Sequence, residues 1–568
     1  LLVRALIHRR MSHMSERALL GPSAIMAVGT VTSRVTGVMR DIAMTAALGF
    51  FLVSDAFSLG NSLPNMIYIL ILGGALNAVF IPQLVRKMKE DADDGRAYAD
   101  RLITLTAIVL LTLAIVSIIF APQIVDLYTP SDYPQNEFDL ALAFTRLCLP
   151  QIFFYGIYTM FSQVLNTRGK FGAPMFAPIA NNIVAITAFL LFIYFAGTGA
   201  AADGNLTSHE IWLLGLGTTL GVVAQALILI PFLIKAGYVW KPRFDWRGHG
   251  LGKAGKLATW TIGLVLINQL TYLVITRFAT QANLNAIADG VAAAGLTTYQ
   301  KAHLVFMLPH SVITVSVITA LLPALSRVAH SGKLTQVSRD LTGAMKLVSF
   351  LIIPVTAVLL VVGTSVAVLL FDFGAATTDQ ARILGGVISI FMLGMLPFTL
   401  FYVLLRGFYA LEDTRTPFLI TVVFSLVFLG LLIPLFGILS GGGVQIAFIA
   451  LCYSFSYWVG LGIAWIVLAR KLGGLSSKLT LFSIGRMVVV GVLTVLVMLF
   501  IQGRLNEFFF GAGSPVNYSD KATLLIELIL IAIIGVLSYL LFSWLFRVPE
   551  ITLAYRVIRE KLGAKVNT

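Results

Sequence analysis

The sequence predicts an all-α integral membrane protein with about fourteen transmembrane helices. Three observations carry that expectation. Apolar residues make up 58% of the 568 positions and charged residues only 12%, with a mean hydropathy of +0.92. A water-soluble surface cannot be built from that balance. Apolar runs of spanning length recur along the whole chain. Basic residues gather in every second loop between those runs, as they do on the cytoplasmic side of polytopic proteins.

The runs fall near 23–48, 54–85, 102–124, 140–165, 174–197, 211–234, 257–280, 296–326, 343–371, 383–410, 417–439, 444–469, 484–502 and 523–546. Each reaches or approaches the roughly 20 residues needed to cross a bilayer. The N-terminal arm is basic. Arg86, Lys87 and Lys89 follow the second run, Arg168 and Lys170 the fourth, and Lys241, Arg243 and Arg247 the sixth. Arg327 and Lys333 follow the eighth, Arg415 the tenth, and Arg470 and Lys471 the twelfth. The intervening loops carry acids instead, among them Asp126, Glu137, Asp203, Glu210 and Asp372. Both termini are therefore expected in the cytoplasm. The net charge of +14 reads as a topology signal, and no nucleic-acid partner is expected. The first run is too long for a signal peptide and shows no clear cleavage site, so it is expected to stay as an anchor. The tail from Arg547 mixes Ile551, Leu553 and Val557 with Arg556 and Arg559. It fits an interfacial helix or a frayed polar end, and both readings stay open.

An internal repeat organises the first twelve runs. Pro64 and Pro309 lie 245 residues apart, Pro82 and Pro323 lie 241 apart, Tyr158 and Tyr402 lie 244 apart, and Pro174 and Pro417 lie 243 apart. Each half then holds six spans, an even number, so the two lobes point the same way. The expected domains are an N-lobe at 1–250, a C-lobe at 251–475, an extra helix pair at 476–546 and a cytoplasmic tail at 547–568.

The first span carries charge at its centre: Ser33-Arg34-Val35-Thr36-Gly37-Val38-Met39-Arg40-Asp41, flanked by apolar residues. An arginine at mid-bilayer costs roughly 2.5–3.5 kcal/mol on insertion scales. Arg34 and Asp41, seven positions apart, lie on nearly one helix face, with Arg40 on an adjoining face. The expectation is a cationic spot facing protein or a wet cavity; the plainer alternative is snorkelling to the headgroups. The repeat places Thr276-Arg277 against Ser33-Arg34, so Arg277 either faces the same cavity or marks the outer end of span seven. In the second span, Pro64 frees a carbonyl and bends the helix, while Gly73 and Gly74 allow close helix approach. Pro64, Asn65, Gly73 and Gly74 form either a hinge or a static kink. Cys148 and Cys452 have neither disulfide-framework nor metal-site spacing. No Gly-x-x-x-x-Gly-Lys-Ser/Thr phosphate loop is present.

The segment Ser33 to Asp41, then Ser54-Asp55-Ala56-Phe57, Leu63-Pro64-Asn65 and Phe80-Ile81-Pro82, resembles the opening of the MurJ (MviN) lipid II flippases. So do Leu165-Asn166-Thr167-Arg168-Gly169-Lys170-Phe171-Gly172-Ala173-Pro174 and Arg406-Gly407-Phe408-Tyr409-Ala410-Leu411-Glu412-Asp413-Thr414-Arg415-Thr416-Pro417. The similarity covers spans one to twelve. It implies the fold of the multidrug/oligosaccharidyl-lipid/polysaccharide (MOP) exporter superfamily: two six-helix lobes around a central cavity, plus two C-terminal helices forming a groove for a lipid tail. It also implies a transporter, not an enzyme. The cargo would be lipid II, an undecaprenyl diphosphate bearing a disaccharide-peptide, moved across a bacterial plasma membrane in cell-wall synthesis. Arg34 and Arg40 would hold the diphosphate, with Asp41 and Asp55 as matching acids.

Two departures bear on the site. Tyr68 and Ile69 stand where the family usually has an arginine and an acid after Leu63-Pro64-Asn65. His303 and Leu304 stand in place of an Asp-Arg pair, so Lys301 and His303 either replace the missing cation or form a polar cap. Asp413 matches part of a sodium motif, but Asn268, Gln269 and Thr271 supply no acidic partner, which argues against sodium. No cofactor is expected; the membrane potential, at about 2.3 kcal/mol per charge per 100 mV, or a monovalent ion would drive transport. Membrane lipids and cell-wall synthesis or division proteins are the other expected partners. The rivals are an exporter of another lipid-linked oligosaccharide or of drugs, a membrane glycosyltransferase or phosphatase, and a scaffold for wall synthesis. Cationic drugs would call for a cavity acid in place of two arginines.

Overall fold

The computed structural model describes residues 16–73, 87, 93–245, 255–511 and 516–551. Every regular element among them is helical. The chain divides into two bodies. The first is Ser15–Thr297 with Phe373–Thr377; the second is Thr298–Asp372 with the chain from Thr378 onward and the extreme N-terminus.

The first body contains α1 (Glu16–Leu48), α2 (Leu52–Tyr68), α3 (Arg96–Ile119), α4 (Ala121–Tyr128), α5 (Gln135–Cys148), α6 (Gln151–Thr167), α7 (Gly172–Ala196), α8 (Ser208–Leu227), α9 (Ile230–Lys235) and α10 (Gly255–Ala288). Its helices start and stop where local chemistry directs. Thr207 and Glu210 form a reciprocal capping box on α8, which satisfies two orphan N–H groups. Gly60 lets α2 press against α5: a Cβ there would meet the Thr145 backbone nitrogen at 2.8 Å. Phe57 then packs edge-on against Phe144 and Phe189, with ring centroids 5.2 and 5.7 Å away. The stretch after α9 is strapped to the start of α3. Tyr238 donates to Asp100 at 2.7 Å, Trp240 donates to Thr104 at 3.2 Å, and Arg101 meets Asp245 at 2.5 Å.

The second body takes nearly all of α11 (Leu296–Pro309), then α12 (Val315–His330), α13 (Leu334–Phe371), α14 (Thr378–Met392), α15 (Met395–Ala410), α16 (Arg415–Phe436), α17 (Gly442–Lys471), α18 (Ser477–Phe510) and α19 (Lys521–Leu545). The extra pair α18 and α19 packs on α13, where Ala357, Val362, Met498 and Ile531 share one buried cluster. Both cysteines are free and buried.

The repeat has a local structural signature. Pro64 is followed by a π-helical turn at Ile69–Gly73, and Pro309 by another at His310–Thr314. Proline removes a ladder hydrogen bond, and a π-turn takes up the resulting mismatch in winding. Pro82 and Gly74 lie outside the described residues, as do the basic N-terminal arm and the tail beyond Ile551.

Among the described residues eleven helices are long and apolar enough to cross a membrane, or twelve if α14 and α15, bent by 48°, form one broken span. The exact count of fourteen is therefore not confirmed among the described residues. The helices outside the count are the first two. One carries Arg34, Arg40 and Asp41 within about two turns, and the other is described only to Gly73. The division between the two bodies falls at 297/298. The physical reason is hydrogen bonding from α10. Gln269 reaches the Met66 carbonyl at 3.4 Å, Arg277 reaches Ser131 at 3.0 Å, and Gln281 reaches Asp132 at 3.1 Å. Span seven is thereby stitched to the first-half helices.

Candidate functional site: a charged cluster on α1 and a carboxylate cap on α11

The charged residues of α1 are held by α7. Arg40 donates to Asp41 at 3.2 Å and to the Asn182 side-chain oxygen at 3.4 Å. The Asn182 amide nitrogen in turn donates to the Ser33 carbonyl at 3.2 Å and to the Thr36 hydroxyl at 2.9 Å. Asn182 thus ties two turns of α1 together and fixes the guanidinium of Arg40. Asp41 is nearly buried, with 11% of its side chain exposed against 36% for Arg40. Arg34 is half-buried and has no hydrogen bond or ion pair to any described residue. Its five N–H donors are available to a ligand, while Arg40 is only partly neutralised by Asp41.

Asp55 occupies a different environment. It is 1% exposed, near the start of α2, and caps the N-terminus of α11. Its Oδ1 accepts the Thr297 N–H at 2.7 Å; its Oδ2 accepts the Leu296 N–H at 3.0 Å and the Asn283 amide at 2.8 Å. Helix N-termini offer unpaired N–H groups and a positive dipole end, both satisfied by a carboxylate. Ser54 and Ser58 each add a 3.0 Å hydrogen bond to the Thr297 hydroxyl. Gly295 makes the approach possible, because a Cβ there would overlap both Asp55 and Asn283. Asp55 is therefore a structural clasp in this conformation, apart from the Arg40 cluster in its bonding.

The remaining sequence-selected residues lie elsewhere. Arg277 bonds to the end of α4 and the loop after it, donating to the Leu127 carbonyl at 3.5 Å and to Ser131 at 3.0 Å. Lys301 is buried at 4% exposure. His303 belongs to an aromatic cluster: it stacks on Tyr299 at 6.1 Å, and its Nε2 lies 3.4 Å from the Tyr453 hydroxyl. Packed rings surround the imidazole, with Phe391 and Tyr453 edge-on to it. Pro64 is buried and Asn65 exposed on α2, while Gly73 ends the π-turn.

Asp413 is engaged by its own loop and by the end of α17. It accepts the Thr416 N–H at 2.9 Å, the Thr416 hydroxyl at 2.6 Å and the Lys471 ammonium. Burial alone would push its carboxyl up. The hydrogen bonds from Lys471 and Thr416 outweigh this and hold it below the usual carboxylate range.

Sequence reasoning missed Asn182, Asn283 and Gly295. Asn182 carried a usable signal: an amide in the middle of an apolar span needs a partner or water. Gly295 carried none, since its role depends on a carboxylate 240 residues earlier.

Over residues 44–518 the sequence matches the family described as "Lipid II flippase MurJ". The chain belongs to that family. Probable lipid II flippases MurJ of Rhizobium tropici and of Buchnera aphidicola subsp. Baizongia pistaciae are each 28% identical. The first aligns over 74% of this chain and 76% of the relative, the second over 78% and 81%. Among solved structures, a lipid II flippase MurJ in an inward closed conformation superposes with a TM-score of 0.69 at 22% identity. It covers 92% of this chain and 98% of that one. An inward-facing MATE-family multidrug transporter of the MOP superfamily gives 0.57 at 15% identity, covering 79% and 99%. The fold is thus that of the MOP transporters, and the MurJ family consists of flippases, not enzymes.

Proposed function

We propose that the chain moves lipid II from the inner to the outer leaflet of a bacterial plasma membrane by alternating access. One observation carries this reading. A half-buried, unpartnered guanidinium, Arg34, shares α1 with Arg40, whose own charge is met by a single carboxylate. A diphosphate with attached sugars cannot enter hydrocarbon without a large desolvation cost. Guanidinium forks match phosphate oxygens bidentately and remain charged in a dry setting. Asp41 keeps Arg40 oriented and weakens its hold enough for release.

The clasp between Asp55 and the Leu296 and Thr297 N–H groups fixes the start of α11 to α2 within the first body. The paired proline and π-turn segments at 64–73 and 309–314 are the flexing points. The termini lie in the cytoplasm, and the membrane potential supplies the drive. Cationic drugs, the cargo class of the rival exporters, would be repelled by the α1 arginines. The test is leaflet accessibility of lipid II in proteoliposomes: the protein accelerates loss of inner-leaflet protection, whereas a rate equal to protein-free vesicles contradicts the proposal.

A further inference from the structure

A second polar feature lies in the same body as the α1 cluster and contains no ionised group. On α2, Asn61, Asn65 and Tyr68 recur at i, i+4 and i+7. On α6, Gln151, Tyr155 and Thr159 recur at i, i+4 and i+8. Those spacings place each trio on one helix face, and the two faces meet. Gln151 donates to the Asn61 side-chain oxygen at 3.3 Å, and Tyr155 donates to Gln151 at 3.2 Å. The Tyr68 and Thr159 hydroxyls are 2.8 Å apart, and the Tyr68 and Tyr155 rings lie 6.0 Å apart. Gln151 is buried, but Asn61, Tyr68, Tyr155 and Thr159 are only half-buried, and Asn65 is exposed.

Polar packing between two helices accounts for the buried members. It does not account for Asn65. That carboxamide sits about 20 Å along α2 at 1.5 Å per residue, and no described residue bonds its side chain. An amide facing acyl chains is strongly disfavoured, so this side of α2 faces water or a polar ligand. One turn along α6 from Tyr155, Tyr158 donates to the Pro174 carbonyl of α7 at 2.9 Å, and α7 is the helix whose Asn182 holds Arg40.

We infer that this ladder of Asn61, Asn65, Tyr68, Gln151 and Tyr155 is the subsite for the uncharged sugar portion of the cargo. The inference rests on the diphosphate reading of Arg34 and Arg40 and extends it. Amide side chains both donate and accept, as hydroxyl and acetamido groups require. Tyrosine offers an apolar face for a pyranose ring and a polar tip for its hydroxyls. The absence of ionised groups among the five suits a neutral ligand and leaves the phosphates to the arginines.

The test compares two probes on purified protein in nanodiscs: lipid II, and undecaprenyl diphosphate without sugars. Asn65→Leu and Tyr155→Phe are measured beside Arg40→Ala, with melting temperature as the folding control. Each ladder variant weakens lipid II binding about tenfold, the effect of losing one or two hydrogen bonds to a polar ligand, and leaves the bare diphosphate lipid unchanged. Equal binding of both probes, or equal loss of both, by a normally melting ladder variant overturns the sugar assignment. Separately, normal binding of the bare lipid by Arg40→Ala removes the diphosphate reading on which it rests.

Discussion

Asp55 on α2 accepts the backbone N–H of Thr297, 242 residues later, at 2.7 Å. With the Leu296 N–H and the Asn283 amide on its other oxygen, this one carboxylate satisfies two of the four donors that a helix start leaves unpaired. Asparagine has the same shape but would turn an NH2 group toward at least one of those donors. Asp55→Asn is therefore expected to be about as damaging as Asp55→Ala. Hydrogen bonds to a charged group contribute about 1.5–3 kcal/mol. A fall in melting temperature with loss of lipid II translocation would be the expected result, and full activity in Asp55→Asn would show that the clasp is dispensable.

Gly295 tests the same clasp without touching the carboxylate. A methyl group there would stand 2.7 Å from the Asn283 Cβ and overlap Asp55. Overpacking of this kind costs about 1–3 kcal/mol. Gly295→Ala is expected to reproduce the Asp55 phenotype in both thermal melting and translocation. A variant that melts and transports like the parent protein would mean that the loop before α11 yields freely.

The loop pair Asp413–Lys471 predicts a pH dependence. The folded carboxyl of Asp413 is held below its ordinary value. Its contribution is therefore present above the unfolded value near 3.9 and is lost as pH falls through the lower folded value. With Lys471 41% exposed, the pair contributes no more than about 1 kcal/mol. Melting curves of the parent protein and Lys471→Gln should differ modestly at neutral pH and converge in strong acid. A gap that widens in acid contradicts the pairing. Sodium should leave both curves unchanged.

His303 sits between Tyr299, Phe391 and Tyr453. A ring of similar size is expected to keep that packing, so His303→Phe should retain translocation with little loss of melting temperature. Loss of translocation by a well-folded His303→Phe protein would return this position to the transport site.

These contrasts mark what the chain makes legible. Composition and loop charge identify a polytopic helical protein because the bilayer imposes length and polarity on every span. The matching prolines mark the repeat because proline acts locally: both are followed by a π-turn. Arg34, Arg40 and Asp41 stand out because charge in an apolar span is rare and costly. The role of Asp55 stays hidden because its donors are backbone groups, and N–H groups leave no mark in sequence. The attachment of α10 to the first body is hidden for a related reason: it depends on Gln269, Arg277 and Gln281 meeting partners well over 100 residues away. His303 reads as a cation in isolation, and only the fold surrounds it with rings.

The guanidinium groups of α1 carry the account. The decisive measurement is translocation of lipid II in proteoliposomes containing the parent protein, Arg34→Ala, Arg40→Ala or Arg34→Lys, each at matched insertion and melting temperature. Both alanine variants should lose translocation at least about tenfold, since each removes a charge-assisted contact to phosphate. The lysine variant should recover only part of it, because an ammonium lacks the bidentate fork. Translocation at the parent rate by well-folded Arg34→Ala and Arg40→Ala proteins would contradict the account.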